Sequence, residues 1–287
     1  MSSKVSLSQT SVERAAPPGG SPADVEVSAA MAQLYNHYFS CHDYERRYPQ
    51  PNQATLNFLM EQGAEKAEQI LDFGCGNGRY GLALLHGTSA LLTGCDISEA
   101  ALAEFSAHLG HARLGARTRL FHGPSSVLEG HGHYDLILML FGVLSHVGAR
   151  SARLETLRQL RALIEPGGKL LLTVPSQWRR RPVELIGAAF DRWRGRVHGV
   201  RTEPGNILFS RRLGGVLHQF FYHLYTVRRL REELRAAGFQ MTLVEAESVL
   251  PEWLITQHPW IGAVDARATR FLPASLGYGM RAVAVPI

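Results

Sequence analysis

The sequence is short of cysteine and of long hydrophobic runs, and each shortage excludes a class of protein. Its three cysteines, Cys41, Cys75 and Cys95, form neither an even disulfide set nor a metal-binding spacing. The longest apolar run, residues 136–144, is too short to cross a bilayer. Because the first residues also lack a charged-then-apolar signal pattern, we expect reduced thiols, no bound metal, no transmembrane segment and a cytoplasmic location.

Lysine is equally scarce, since it occurs only at Lys4, Lys66 and Lys169. The formal charge of +5 is therefore carried almost entirely by arginine. Anionic partners and a coding bias toward arginine both account for this composition, because net charge bears on association rather than on fold. The length of 287 residues suits one large domain better than two independent ones.

The amino-terminal part of the chain divides into a tail and a cap. Residues 1–27 are rich in Ser, Ala, Pro and Gly and show no sustained apolar period, which predicts a disordered tail. Residues 28–287 are expected to form one domain. Helical spacing at residues 31–39 and 52–62 predicts a helical N-terminal cap that closes over a pocket.

Short apolar runs then alternate with longer amphipathic ones, the pattern of an α/β protein. This alternation of strands and helices predicts right-handed crossovers and an open, doubly wound sheet. The expected strands cover residues 69–73, 90–95, 117–122, 134–141, 169–174, 241–247 and 280–286, and helices are expected at residues 78–86, 98–109, 152–164 and 226–237.

Residues 177–222 interrupt this alternation and carry several arginines. We interpret them as a lid-like insertion after the fifth strand, because ligands in such folds sit beyond the carboxyl ends of the strands. His218, Tyr222, His223 and Tyr225 lie near its end and could line an acceptor site, although most of them are expected to lie on a buried helix face.

The most informative segment is Asp72-Phe-Gly-Cys-Gly-Asn-Gly78, where a strand is followed by three alternating glycines. Glycine lets the backbone turn tightly and lets a ligand approach closely. The dinucleotide fingerprint needs G-x-G-x-x-G, whereas this turn has G-x-G-x-G. The negative charge of Asp72 would also serve a pyrophosphate poorly and a cationic ligand well. A purely structural tight turn is the remaining alternative.

This segment resembles the first motif of class I S-adenosylmethionine-dependent methyltransferases. The resemblance implies a Rossmann-like methyltransferase fold with seven mostly parallel strands, in which the final strand completes an antiparallel edge. It also implies S-adenosyl-L-methionine as cofactor, with Asp72 facing the ammonium group and Asp96, which ends the next strand, accepting the ribose hydroxyls. The implied cofactor contacts are Asp72, Gly74, Cys75, Gly76, Gly78, Asp96, Ile97, Leu140 and Arg47.

The resemblance extends to the loop after the fourth strand and departs from the family after the third. His146 in the fourth-strand loop is the candidate general base, and packing is its alternative role. The third strand lacks the acid that often binds adenine in the family. A backbone carbonyl, Ser125 or Ser126 is left to make that contact.

The expected function is methyl transfer to a small-molecule acceptor. One alternative is a tRNA wobble-uridine-type methyltransferase, in which arginines of the insertion contact phosphates. Another is a non-catalytic cofactor-binding homologue. Peripheral membrane contact through residues 183–193 is a further option, because that stretch is amphipathic and flanked by arginines.

Overall fold

The computed structural model describes residues 22–197 and 199–287. Of the predicted tail, residues 1–21 lie outside the described residues. Residues 22–27 belong to the first helix. The helices are α1 (Pro22–Ser40), α2 (Asp43–Arg47), α3 (Gln53–Leu59), α4 (Arg79–Gly87), α5 (Glu99–Ala112), α6 (Val143–His146), α7 (Arg150–Ala162), α8 (Pro182–Trp193), α9 (Val227–Ala236), α10 (Glu252–Gln257) and α11 (Pro259–Thr269).

Seven strands form the main sheet, in the order β3-β2-β1-β4-β5-β9-β8. They are β1 (Gln69–Phe73), β2 (Leu91–Asp96), β3 (Thr118–His122), β4 (Tyr134–Met139), β5 (Ile164–Pro175), β8 (Phe239–Ser248) and β9 (Gly279–Pro286). The first five strands of the chain pair in parallel, and β9 pairs antiparallel with both β5 and β8. The final strand therefore lies inside the sheet rather than at its edge, which corrects the expected position.

Helices cover both faces of this sheet, so the doubly wound architecture predicted from the sequence is confirmed. One core contains Leu157 of α7 and Leu230 of α9, and the other contains Phe58, Leu84 and Phe105 of α3, α4 and α5. Strands covered on both faces read as continuous apolar runs. No helix in the part of the chain that the structure describes has the length and apolar character needed to span a membrane.

The insertion forms α8 followed by a hairpin of β6 (Asn206–Leu213) and β7 (Val216–His223). The expectation of a buried helix face at His218, Tyr222 and His223 was wrong, because these residues lie on a strand. The last four residues of β7 are all buried, so the strand does not show the alternation that identifies a half-exposed strand from sequence. Phe220 packs with Tyr38 of α1 in a third core, which joins the insertion to the N-terminal cap.

Arg153 on α7 is fully buried and links the insertion to the helical layer. Its guanidinium donates to the Glu233 carboxylate at 2.7 and 3.1 Å, and to the Glu203 carboxylate at 2.6 Å. It also donates to the Gly148 carbonyl at 2.9 Å. Glu203, Glu233 and His223 bring three potential metal-ligand atoms within 4.8 Å of one another, and the guanidinium already bonds both carboxylates.

We expect Arg153→Met to lower the free energy of unfolding by about 3–5 kcal/mol, because it removes the buried charge that pairs with two carboxylates and leaves Glu233 only the half-exposed Arg150 at 3.9 Å. Urea denaturation followed by circular dichroism measures this difference. The matched control is Arg228→Met, which removes an exposed arginine paired with Glu232 on α9 and should leave the midpoint unchanged. Equal midpoints for both variants would contradict a structural role for the buried arginine.

Candidate active site

The glycine turn begins at the carboxyl end of β1, directly after Asp72, which is 3% exposed. Burial disfavours its charged form and the nearby Asp96 carboxylate adds repulsion, so the pKa of Asp72 rises to about 7. A carboxyl group that titrates near neutrality inside a fold is typical of a functional site. A cation placed beside it would stabilise the ionised form.

The three glycines of the turn all have positive φ angles, but different surroundings require them. An added Cβ at Gly74 would lie 2.3 Å from Val143, and one at Gly78 would lie 2.1 Å from Phe105. Packing therefore explains these two glycines. At Gly76 an added Cβ would lie 3.2 Å from the ring of Phe39, so α1 covers the turn at that point.

Asp96 at the end of β2 connects two parts of the site. Its Oδ2 accepts a hydrogen bond from the Gly76 amide at 2.8 Å, and its Oδ1 accepts one from the Ser98 amide at 2.8 Å. Burial raises the pKa of Asp96, although these amides oppose the shift. Each carboxylate oxygen can accept a further bond, so the residue suits a ligand that presents two hydroxyl groups.

The other residues implied as cofactor contacts lie in different surroundings. Cys75 and Leu140 are buried in the core beneath the turn, and burial raises the pKa of the Cys75 thiol well above its ordinary value. Ile97 packs in the third core beside α1. Arg47 lines a cavity beside the β4 exit loop, with its guanidinium over the rings of Tyr48 and Trp253. The roles of these four residues stay predictions.

The segment considered for adenine contact lies just beyond β3. Ser125 is buried and donates to the side chain of Gln159 on α7 at 2.5 Å. The amide of Gly123 donates to the Asp96 carbonyl at 2.9 Å, which keeps this segment beside the end of β2. With its hydroxyl proton already donated, Ser125 keeps only acceptor capacity for an adenine amino group.

The chain leaves β4 through two residues with positive φ, Phe141 and Gly142. The Phe141 amide donates to the Thr173 hydroxyl at 2.7 Å, which holds this turn against β5. An added Cβ at Gly142 would lie 3.0 Å from the Tyr222 hydroxyl. This close approach brings the loop and α6 under the hairpin of the insertion.

His146 at the end of α6 is held at both ring nitrogens. Its Nδ1 donates to the Phe221 carbonyl at 2.9 Å, because a carbonyl can only accept. Its Nε2 therefore carries the lone pair and accepts from the Tyr35 hydroxyl at 2.9 Å. Burial lowers the pKa of His146 to about 3. The ring is thus neutral. A proton that moves from a substrate to Nε2 would pass through the Tyr35 hydroxyl, which already donates to that nitrogen.

Arg79, the first residue of α4, is a site residue that the sequence analysis missed. It is buried, its Nη1 lies 2.9 Å from the Glu252 carboxylate, and its guanidinium lies over Phe141 with 4.7 Å to the ring centroid. Its position directly after the glycine turn was the available signal. Glu252 and Trp253 on α10 carried no such signal, because only the tertiary fold brings that helix to the site.

A cavity opens beside the β4 exit loop, between the N-terminal cap and the insertion. Its walls come from α1, α2, α6, α10, the hairpin and the chain before β9. The lining residues are Tyr35, Tyr38, Arg47, Tyr48, Phe141, His146, Arg180, Arg181, Phe209, Arg211, Phe220, Tyr222, Glu252, Trp253 and Tyr278. Phe141 and His146 belong to the β4 exit loop and α6, and Val143 of the same segment lies against the glycine turn at Gly74.

A glycine turn and two acids at the carboxyl edge of a parallel sheet define a nucleoside-binding α/β domain. Residues 71–170 match the family model described as a methyltransferase domain. A curated protein of Geobacillus sp. (strain WCH70), described as a "putative methyltransferase", is 28% identical over 124 residues, which cover 42% of this chain and 48% of that protein. The match thus spans about half the length of that curated relative.

Solved structures share the fold. An S-adenosylmethionine-dependent methyltransferase from Clostridium acetobutylicum is 13% identical, with 88% of this chain and 98% of that chain covered and a TM-score of 0.60. The 1,6-didemethyltoxoflavin-N1-methyltransferase of Burkholderia thailandensis is 19% identical, with 95% and 93% covered and a TM-score of 0.58. At these identities the likeness concerns the fold. In its sheet order, its glycine motif and the domain match over residues 71–170, the chain is similar to the class I S-adenosylmethionine-dependent methyltransferases.

We expect His146 to remain neutral with its proton on Nδ1 between pH 5 and 8, because burial holds its pKa near 3 against an ordinary value of 6.5. Nitrogen-15 chemical shifts of the ring measure both properties, and His146→Gln assigns the signal. Only the unfolded chain takes up this proton, so the residue makes unfolding easier as the pH falls below about 6.5. A titration midpoint near 6.5 in the folded protein would contradict this description.

Proposed function

We propose that this protein transfers the methyl group of S-adenosylmethionine to a small-molecule acceptor bound in the cavity beside the β4 exit loop. The observation that carries the proposal is the continuity of the site. The buried carboxyl of Asp72, the turn at Gly76 and the carboxylate of Asp96 adjoin each other, and the exit loop connects them to the cavity.

The residues at the sheet edge fit this cofactor. The Asp72 carboxyl favours the cationic ammonium of its methionine part, and Asp96 has the acceptor capacity for two ribose hydroxyls. The glycine turn lies between these two acids and is covered at Gly76 by Phe39 of α1. When bound there, the cofactor supplies a methyl group that its positively charged sulfur makes electrophilic.

The chain's own task is to orient the acceptor, exclude water and remove a proton where one must leave. Orientation of the attacking atom accounts for much of the rate in such a transfer. A proton lost by the acceptor can pass to the Tyr35 oxygen while Tyr35 gives its own proton to Nε2 of His146.

The shape of the cavity favours a small acceptor over a polynucleotide. Its walls come from the N-terminal cap, the hairpin and α10, which surround the exit loop on several sides. The Burkholderia enzyme of the same fold was solved with the small molecule 1,6-didemethyltoxoflavin, which supports a small acceptor here. The tRNA and non-catalytic alternatives remain outcomes of the tests below.

One structural observation favours peripheral membrane contact. Helix α8 exposes four apolar side chains, with 77% of Val183, 69% of Ile186, 46% of Phe190 and 79% of Trp193 accessible. Cosedimentation with anionic vesicles tests this alternative. No cosedimentation at low salt would remove it without affecting the proposed reaction.

Incubation with methyl-labelled cofactor and separated host metabolites and RNA should label the low-molecular-mass fraction. The label identifies the acceptor class directly, and Asp96→Ala is the matched control that should lose it. Label found in RNA alone would replace the proposal with the tRNA alternative. Cofactor binding without any labelled product would support the non-catalytic homologue.

We expect the affinity for S-adenosylhomocysteine to increase as the pH rises from 6 to 8. Asp72 has a pKa of about 7, and a bound ammonium favours its ionised form, so affinity falls about tenfold per pH unit below that value. Calorimetry at constant ionic strength measures the trend. Asp72→Asn should remove it, and 5′-methylthioadenosine, which lacks the amino-acid part, should not show it. Equal affinities at pH 6 and 8 would contradict the placement of the ammonium.

A further inference from the structure

Three arginines from separate elements converge in the cavity: Arg47 of α2, Arg180 at the start of the insertion and Arg211 of β6. We propose that Arg180 and Arg211, with Arg47 beside them, form a subsite for an oxyanion carried by a small, planar acceptor. The subsite deepens the function proposed above and rests on it. Carboxylate, sulfate and phosphate share the chemistry that these guanidinium groups recognise.

These guanidinium groups have no counter-charge at ion-pair distance. Among the described residues, no carboxylate oxygen lies within 4.0 Å of a side-chain nitrogen of Arg47, Arg180 or Arg211, whereas the adjacent Arg181 is paired with Glu184 at 2.6 Å. Half-buried charges without partners are costly. An anionic ligand would therefore be attracted to this part of the cavity.

The acidic residues nearest to the three arginines do not neutralise them. Glu252 lies in the cavity wall, but its carboxylate pairs with Arg79 at 2.9 Å. Burial and the charge of Glu252 raise the pKa of Glu247 to about 8, so Glu247 is mostly protonated at neutral pH. His146 is neutral as well, and the cavity keeps an excess of positive charge.

The position of Arg211 on β6 points to a ligand rather than to solvation. Side chains alternate between the two faces of a strand, and Ile207, Phe209 and Leu213 occupy the buried face of β6. Arg211 falls on that same face, where an apolar residue would complete the pattern. Arg212 is exposed on the opposite face. Binding of an anion explains an inward-facing arginine better than packing in an apolar core does.

The aromatic rings around the arginines suit a planar molecule. The Arg180 guanidinium lies over Tyr222 and Tyr278, at 5.2 and 4.7 Å from the ring centroids. Arg211 lies over Phe209 and donates to the Tyr38 hydroxyl at 3.0 Å. A guanidinium stacked on a ring keeps donors free at its edge, while the rings that line the cavity can pack against a flat ligand.

The test compares benzoate, phenyl phosphate and neutral benzamide by calorimetry on protein saturated with S-adenosylhomocysteine. At least one of the two anions should bind about tenfold or more tightly than benzamide, and added salt should weaken its binding. The two anions distinguish a carboxylate from a phosphate preference. Arg180→Met and Arg211→Met should each lose this advantage, while the outward-facing Arg212→Met should keep it.

Binding of S-adenosylhomocysteine to each variant separates the outcomes. Unchanged cofactor affinity together with lost anion binding supports the subsite. Wild-type protein that binds S-adenosylhomocysteine but does not prefer the anions overturns the subsite and leaves the proposed function standing. A loss of cofactor affinity in Arg180→Met or Arg211→Met also overturns it, since these arginines would then hold the cofactor's own carboxylate. No binding of S-adenosylhomocysteine to the wild type overturns both proposals.

Discussion

The hydrogen bond from the Gly76 amide to the Asp96 carboxylate joins the turn after β1 to the end of the neighbouring strand β2, and the site is built around it. Parallel pairing of β1 with β2 brings Asp72 and Asp96 to one edge of the sheet, although 23 intervening residues separate them in the chain. Burial raises the pKa of both carboxyl groups, and the charge of Asp96 raises that of Asp72 further, which makes the edge receptive to a cation. The same contact shapes the turn that a nucleoside would approach.

The cavity depends on a second set of interactions, far from the glycine turn in sequence. Arg153 bonds carboxylates from α9 and from the segment before β6, and so holds the insertion against the sheet domain. The hairpin then presents Tyr222 and Arg211 toward the exit loop of β4. Because α1 and α2 close the other side, the cap and the insertion together form most of the cavity wall.

Most of the sheet could be predicted from the sequence, as could the glycine turn and the two acids at its carboxyl edge, because all of these depend on local signals. The apolar run around Leu138, the helix that starts after Ser98 and the glycine turn all appear where they were expected. Prediction failed where the signal was not local. The buried end of β7 resembled a helix face, and the antiparallel insertion of β9 between β5 and β8 depends on pairing that no short segment encodes.

The sequence by itself determined the fold class, the doubly wound sheet and the positions of Asp72 and Asp96 at the ends of β1 and β2. These properties come from periodicity, glycine positions and the polarity of strand ends, which act over a few residues. Only the tertiary structure decided the tautomer of His146, the burial of Arg79 and the meeting of Arg47, Arg180 and Arg211. Each of these depends on contacts between segments that lie far apart in the chain, and the charge or proton state of a side chain follows from those contacts.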